Sequence, residues 1–242
     1  AGLALLGDAE PLPHYLLATG ALPVFLAALL RTAEGKRPVA PDARLATAAD
    51  FLRMLRDAPA PAAEAAALDA YLTTVAEHGL NASTFTARVI ASTRAGTISA
   101  VLGALCALKG PLHGGAPEPV LDMLDEIGTV ERARPWLEAA ISKGERLMGF
   151  GHRIYKVRDP RADVLKQVVL GMPRSGNRIA FAEAVEREAL AALKRLKPGR
   201  KLETNVEFYT ALLLDAVGLP RQAFTPGVAV ARAAGWSAHS ME

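Results

Sequence analysis

The stretch Gly96-Thr97-Ile98-Ser99-Ala100-Val101-Leu102-Gly103-Ala104-Leu105-Cys106-Ala107-Leu108-Lys109-Gly110-Pro111-Leu112-His113-Gly114-Gly115-Ala116 decides how the chain is read. From Gly96-Thr97 to Lys109 it is apolar nearly all round, through Val101, Leu102, Leu105, Cys106 and Leu108, which predicts a central, buried helix. That helix runs into the Gly110-Pro111 break. His113 then stands among helix breakers, bracketed by glycines that permit close backbone approach. An imidazole held in that way is placed for chemistry rather than for packing.

The composition around this stretch points the same way. Of 242 residues, 51% are hydrophobic and only 5% aromatic. Much of the apolar share is alanine and leucine, which lose least in a helix, while the strand formers are scarce, so a mostly α protein is expected. The length suits one large or two modest domains. Lys and Arg number 28 against 25 Asp and Glu. That small, dispersed excess points away from nucleic acid and towards anionic metabolites. The single cysteine, Cys106, excludes an internal disulfide and is expected to be inert core, a pattern that suits a reducing cytoplasm. Residues 12–30 are nearly free of charge but contain Pro13, His14, Gly20 and Pro23 and lack a basic flank. They read as a buried or subunit-interface helix rather than a membrane span or a signal peptide.

Helical periodicity continues along the chain, with breakers between elements. A turn at 36–42 ends the first helix, and Asp57-Ala58-Pro59-Ala60-Pro61 ends a second built on Phe51, Leu52, Met54 and Leu55. Residues 62–77 form a third, with Leu68, Tyr71, Leu72 and Val75 on one face, delivering His78 at its end. Asn81-Ala82-Ser83-Thr84 supplies capping side chains for a helix over 85–93. Further helices are expected over 120–127, 130–143, 178–196, 208–217 and 227–240.

His14 and His239 lie in apolar helical contexts and read as packing or surface residues. His78, at a helix end, could simply favour the helix dipole. His113 and His152 differ, since both lie in glycine-rich turns, His113 between Gly110 and Gly114 and His152 directly after Gly151. Arg161 follows Asp159-Pro160 and a basic run, Arg153, Lys156 and Arg158; it reads either as part of a solvated face or as a planar fork for a carboxylate. Glu207 sits in the first turn of an apolar helix, where a carboxylate usually just matches the dipole. No metal site is expected: the histidines are far apart, the cysteine is alone and no His-Glu-x-x-His occurs. No Walker loop, dinucleotide fingerprint or Gly-x-Ser-x-Gly elbow is present. Any chemistry is then metal-free acid/base work.

Asn81-Ala82-Ser83-Thr84-Phe85-Thr86-Ala87-Arg88, Leu108-Lys109-Gly110-Pro111-Leu112-His113-Gly114-Gly115-Ala116, Gly149-Phe150-Gly151-His152-Arg153 with Asp159-Pro160-Arg161, and Ala231-Arg232-Ala233-Ala234-Gly235-Trp236 resemble citrate synthase, in that family's order. The resemblance implies an all-α fold of two helical domains. Residues 1–114 and 213–242 would form the large domain, for dimerisation and oxaloacetate, and 115–212 the small domain, on the coenzyme A side. It implies a homodimer with the active sites between domains, with the helix over 12–30 as dimer core, and an acyltransferase condensing acetyl-CoA or propionyl-CoA with oxaloacetate to citrate or 2-methylcitrate. The acyl-CoA is a co-substrate, and no tightly bound cofactor, nucleic acid or membrane is implied.

Residue by residue, the resemblance makes His113 the donor to the enolate oxygen, with Ser83 fixing its tautomer, and Glu207 the base. His152 would protonate the oxaloacetate carbonyl oxygen, while His78, Arg161 and Arg232 hold the substrate. Gly149, Phe150, Gly151, Lys156 and Lys201 would serve coenzyme A. Three positions depart from the family: Glu207 and Glu77 stand where it has aspartate, and Thr204 where it has proline. The resemblance also leaves out the family's first quarter and its arginine-bearing C-terminal tail. The alternative is a citrate synthase-like paralogue with weak or no synthase activity that binds dicarboxylate or coenzyme A.

Overall fold

The computed structural model describes residues 13–110, 113, 117–151, 158–172 and 176–242. Among them the elements are α1 (His14–Ala33), α2 (Thr47–Arg56), α3 (Ala62–Val75), α4 (Ala82–Ser92), α5 (Thr97–Leu108), α6 (Pro117–Ile127), α7 (Val130–Ser142), α8 (Pro160–Leu170), α9 (Gly176–Leu196), α10 (Val206–Ala216) and α11 (Phe224–Met241). Strand-like pairing among the described residues is one isolated antiparallel bridge, Phe150 with Thr204. The fold is all-α, as the alanine- and leucine-rich composition predicts.

Side-chain caps set several helix starts. Asn81 accepts from the Thr84 amide and Asn205 from the Glu207 amide, so α4 and α10 begin earlier than their apolar periodicity indicates. Hydrophobic periodicity did not announce α8. Its start is local: Asp159 accepts from the Arg161 amide, and Pro160 fills the first turn, where a missing N–H costs nothing. The Asp-Pro-Arg run is therefore a helix start in its own right.

The chain divides into two compact units, Ala1–Gly115 with Gln222–Glu242, and Ala116–Arg221. In the first, α11 is central, packing on α1, α3, α4 and α5 and burying Phe224 and Trp236 completely. By length and composition α1 is the one described helix able to cross a membrane, and its Ala18, Leu22, Leu26 and Ala27 are buried within this unit. Its neighbours there include α2 and α11.

The expectation that α5 is covered on every side is corrected. Ile98, Ala100, Val101, Ala104 and Leu108 are buried, Leu102 and Leu105 only partly, and Cys106 is exposed. Helices α4, α11 and α1 pack on α5 from this chain. An apolar composition says that a face seeks cover, not that the same chain supplies it. Beside it, α4 exposes Phe85 and Val89.

In the second unit α10 is central. Val206 and residues 208–214 are buried, with α10 packing on α8 and α6 while α7 packs on α9. Because α10 belongs wholly to this core, the unit runs on to Arg221 rather than ending at 212.

Candidate active site

In the first unit, His113 and Ser83 come together. The Ser83 amide donates to His113 Nε2 at 3.3 Å, and Ser83 Oγ lies 2.9 Å from the same nitrogen. A backbone N–H can only donate, so Nε2 is an acceptor and the neutral ring carries its proton on Nδ1. Ser83 is itself held: Trp236 Nε1 donates to its Oγ at 3.1 Å, and Asn81 Oδ1 lies 2.8 Å from that oxygen. Ser83 and Trp236 are fully buried, so little slack remains behind the imidazole.

His78 lies in the turn after α3. Glu77 Oε1 accepts from the amides of His78, at 2.8 Å, and of Gly79, which fixes the backbone there. Glu77 Oε2 lies 3.3 Å from His239 Nε2. His239 Nδ1 faces Arg88 Nη1 at 3.0 Å, and a guanidinium only donates, so Nδ1 accepts and Nε2–H points at Glu77. The packing or surface role expected for His239 is thus more specific: it steadies the carboxylate that shapes the His78 turn. Arg232, on α11, is buried at 7% exposure.

Gly235 lets α11 pass against that turn. A Cβ there would lie 2.4 Å from Ala76 O and 2.6 Å from Glu77 Oε2. Gly235→Ala is expected to destabilise the protein by about 1–3 kcal/mol, the usual cost of overpacking, by displacing the turn that carries His78. Urea unfolding checks this, and an unchanged midpoint would show that the turn yields freely.

The second unit joins the glycine turn, the Asp-Pro-Arg run and Glu207. Gly149 has φ 84°, and a Cβ on it would meet Phe208 Cδ2 at 2.9 Å. The turn is stapled to the start of α10: Gly151 N–H donates to Glu203 O at 2.7 Å, Asn205 N–H to Gly149 O at 2.9 Å, and Asn205 Nδ2 to Gly151 O at 2.8 Å. Phe150 is 4% exposed with its ring against Phe208, so its side chain packs and the turn offers a ligand its backbone.

Arg161 makes a two-toothed ion pair with Asp159, Nε to Oδ1 at 3.0 Å and Nη2 to Oδ2 at 2.8 Å. Asp159 also accepts from the Arg161 amide at 3.1 Å and the Val206 amide at 3.2 Å. Burial opposes its charge, but the hydrogen bonds and charge of Arg161, with both amides, outweigh burial and hold its pKa below the ordinary aspartate value. One carboxylate thus orients the candidate substrate arginine and secures the residue before Glu207. Glu207 is half-buried in the first turn of α10, its amide donating to Asn205 Oδ1 at 3.0 Å.

Of the residues singled out from the sequence, the structure joins His113 to Ser83 and brings Gly149, Gly151, Arg161 and Glu207 into one hydrogen-bonded framework. Lys201 is exposed ahead of that framework, and His152 and Lys156 lie outside the described residues. Asp159, Asn205 and Glu186 are structural participants that periodicity did not single out. For Asp159 and Asn205 the signal was present, since both are helix caps.

Comparison with known proteins agrees with these motifs. The family model for the citrate synthase C-terminal domain matches residues 7–242. The citrate synthase of Synechocystis is 41% identical over 222 residues, covering 91% of this chain and 55% of that protein. Citrate synthase 2 of Bacillus subtilis is 40% identical over 222 residues, covering 91% and 58%. Among solved structures, citrate synthase from Pyrobaculum aerophilum has a TM-score of 0.82 at 39% identity, over 91% of this chain and 55% of that one. The citrate synthase of Thermoplasma acidophilum, solved as a ternary complex with carboxymethyl coenzyme A and oxaloacetate, has a TM-score of 0.88 at 26% identity, over 100% of this chain and 65% of that one. The chain spans about half the length of the curated relatives it matches. With both motif clusters in place on an all-α fold, the chain belongs to the citrate synthase family.

Proposed function

We propose that the protein condenses a short acyl-CoA, acetyl-CoA or propionyl-CoA, with oxaloacetate and hydrolyses the thioester, giving citrate or 2-methylcitrate. The observation that carries this is the His113–Ser83 contact, which puts the ring proton on Nδ1 of a neutral imidazole. A thioester methyl proton is only feebly acidic, so enolisation needs a carboxylate base and a donor to the developing oxyanion. Glu207 takes the proton and His113 Nδ1–H donates to the enolate oxygen. The enolate carbon attacks the oxaloacetate ketone, whose oxygen His152 protonates, and water then cleaves the thioester. His78, Arg161 and Arg232 hold the dicarboxylate; Arg161 enters the reaction already oriented by Asp159. The 149–151 backbone, Lys156 and Lys201 receive coenzyme A.

A homodimer is part of this proposal. The exposed Phe85 and Val89 on α4 and the half-covered α5 support a second copy seated there, and add to the expected role of α1. Cytoplasmic location rests on the lone thiol Cys106.

Purified full-length protein is expected to release coenzyme A thiol from acetyl-CoA or propionyl-CoA only when oxaloacetate is present. No release with either thioester would sink the proposal. A second reading, a dicarboxylate- or coenzyme A-binding paralogue without turnover, rests on Glu207 standing in place of aspartate. The added methylene moves the carboxylate by about 1.5 Å, where roughly 1 Å can cost 100-fold. A large gain in turnover on Glu207→Asp would show a misplaced base. No gain in an inactive protein favours binding alone.

A further inference from the structure

Glu186 takes no part in the condensation chemistry, yet it is 5% exposed in the body of α9. Its Oε1 accepts from Thr204 Oγ1 at 2.6 Å and Arg158 Nη1 at 2.7 Å. Its Oε2 accepts from Tyr209 Oη at 2.6 Å, with Lys166 Nζ 3.6 Å away. Burial opposes the charge on Glu186, and the hydrogen bonds from Thr204, Tyr209 and Arg158 outweigh it, so the carboxylate stays ionised.

These donors bracket Glu207 in the chain. Thr204 precedes it and anchors the entry to α10; Tyr209 follows it by two residues and anchors the helix itself. Two residues are about 200° of helical rotation. Tethering Tyr209 to α9 therefore turns Glu207 to the other side of α10. The Thr204 hydroxyl fixes where the helix starts, and the Tyr209 hydroxyl fixes how it is rotated.

Thr204 stands where the resemblance expects proline. The bridge at Phe150 and Thr204 uses the amides of Gly151 and Asn205, not that of Thr204, so the backbone tolerates either residue. Only threonine brings a hydroxyl to Glu186. Arg158, immediately before Asp159, joins the same carboxylate, so Glu186 reaches both ends of the framework that holds Arg161 and Glu207.

We infer that Glu186 is a positioning residue for the base Glu207, acting through the hydroxyls of Thr204 and Tyr209. The inference rests on the synthase reading above. Glu186→Gln, Thr204→Val and Tyr209→Phe, singly and combined in the full-length protein, test it. Glu186→Gln is expected to lower kcat by about 10- to 100-fold, the scale set by roughly an ångström of misplacement, with a smaller change in the KM for oxaloacetate. It also shifts the limb of the kcat–pH profile that reports the base. Adding the two hydroxyl deletions to Glu186→Gln costs little more, because all three cut the same tether.

Unchanged kcat and pH profile in all variants, with only a lower melting temperature, would overturn the inference. Amide hydrogen exchange over residues 204–209 gives a readout without turnover. Faster exchange there, with α6 and α7 unaltered, is expected in Glu186→Gln, and unaltered exchange overturns the positioning role. Wild-type protein that releases no thiol sinks the synthase reading, and exchange still decides whether Glu186 holds the segment. If Glu186→Gln fails to fold, Thr204→Val and Tyr209→Phe carry the same readouts.

Discussion

Glu207→Gln is expected to cut the rate of thiol release by about 10²–10⁴-fold, the usual contribution of a positioned general base. Glutamine has nearly the shape of glutamate but cannot accept the methyl proton. The helix start remains, because the cap is made by the backbone amide of Glu207 and the side chain of Asn205. Loss of a negative charge from the first turn of α10 costs only ~0.3–1 kcal/mol. Oxaloacetate affinity, read by calorimetry, should therefore persist while kcat collapses. A variant that turns over at the wild-type rate would remove Glu207 from the role of base.

Asp159→Ala should have the largest effect on stability. Asp159 is 1% exposed and Arg161 8%, so the substitution removes the two-toothed carboxylate from a buried guanidinium and takes an acceptor from the amides of Arg161 and Val206. Breaking a buried pair in this way typically costs about 3–5 kcal/mol, which urea unfolding at neutral pH would show as a large fall in midpoint. Oxaloacetate binding should weaken with it as Arg161 loses its orientation. The pH dependence gives a separate check. The pKa of Asp159 is depressed in the folded state, so its contribution is fully present above the unfolded value near 4 and is lost as pH falls through the folded value. Wild-type stability should therefore drop more steeply below about pH 4 than that of Asp159→Ala. Parallel curves would mean that the aspartate is not held in its charged form.

The parts of the fold legible in the sequence are those set by local chemistry. Asn81 announced α4, and the Gly110-Pro111 break announced the end of α5. The His113–Ser83 contact followed from the family resemblance and is present. What stayed hidden depends on neighbours distant in the chain. Glu186 is one glutamate among many charges on an amphipathic helix, and nothing around it signals that Thr204 and Tyr209 will close over it. Cys106 and its helix differ from expectation for the converse reason, since an apolar run signals a need for cover that the described residues only partly meet. The start of α8 is legible as a cap and a proline, although the same residues also carry the family resemblance.

The bridge between Phe150 and Thr204, with the two bonds from Asn205 to the carbonyls of Gly149 and Gly151, makes the glycine turn and the proposed base, Glu207, one mechanical part. A ligand pressing on the turn presses on the root of Glu207. Thioester recognition and proton abstraction would then share one calibration, so that a substitution made to widen the turn for a bulkier coenzyme also retunes the base.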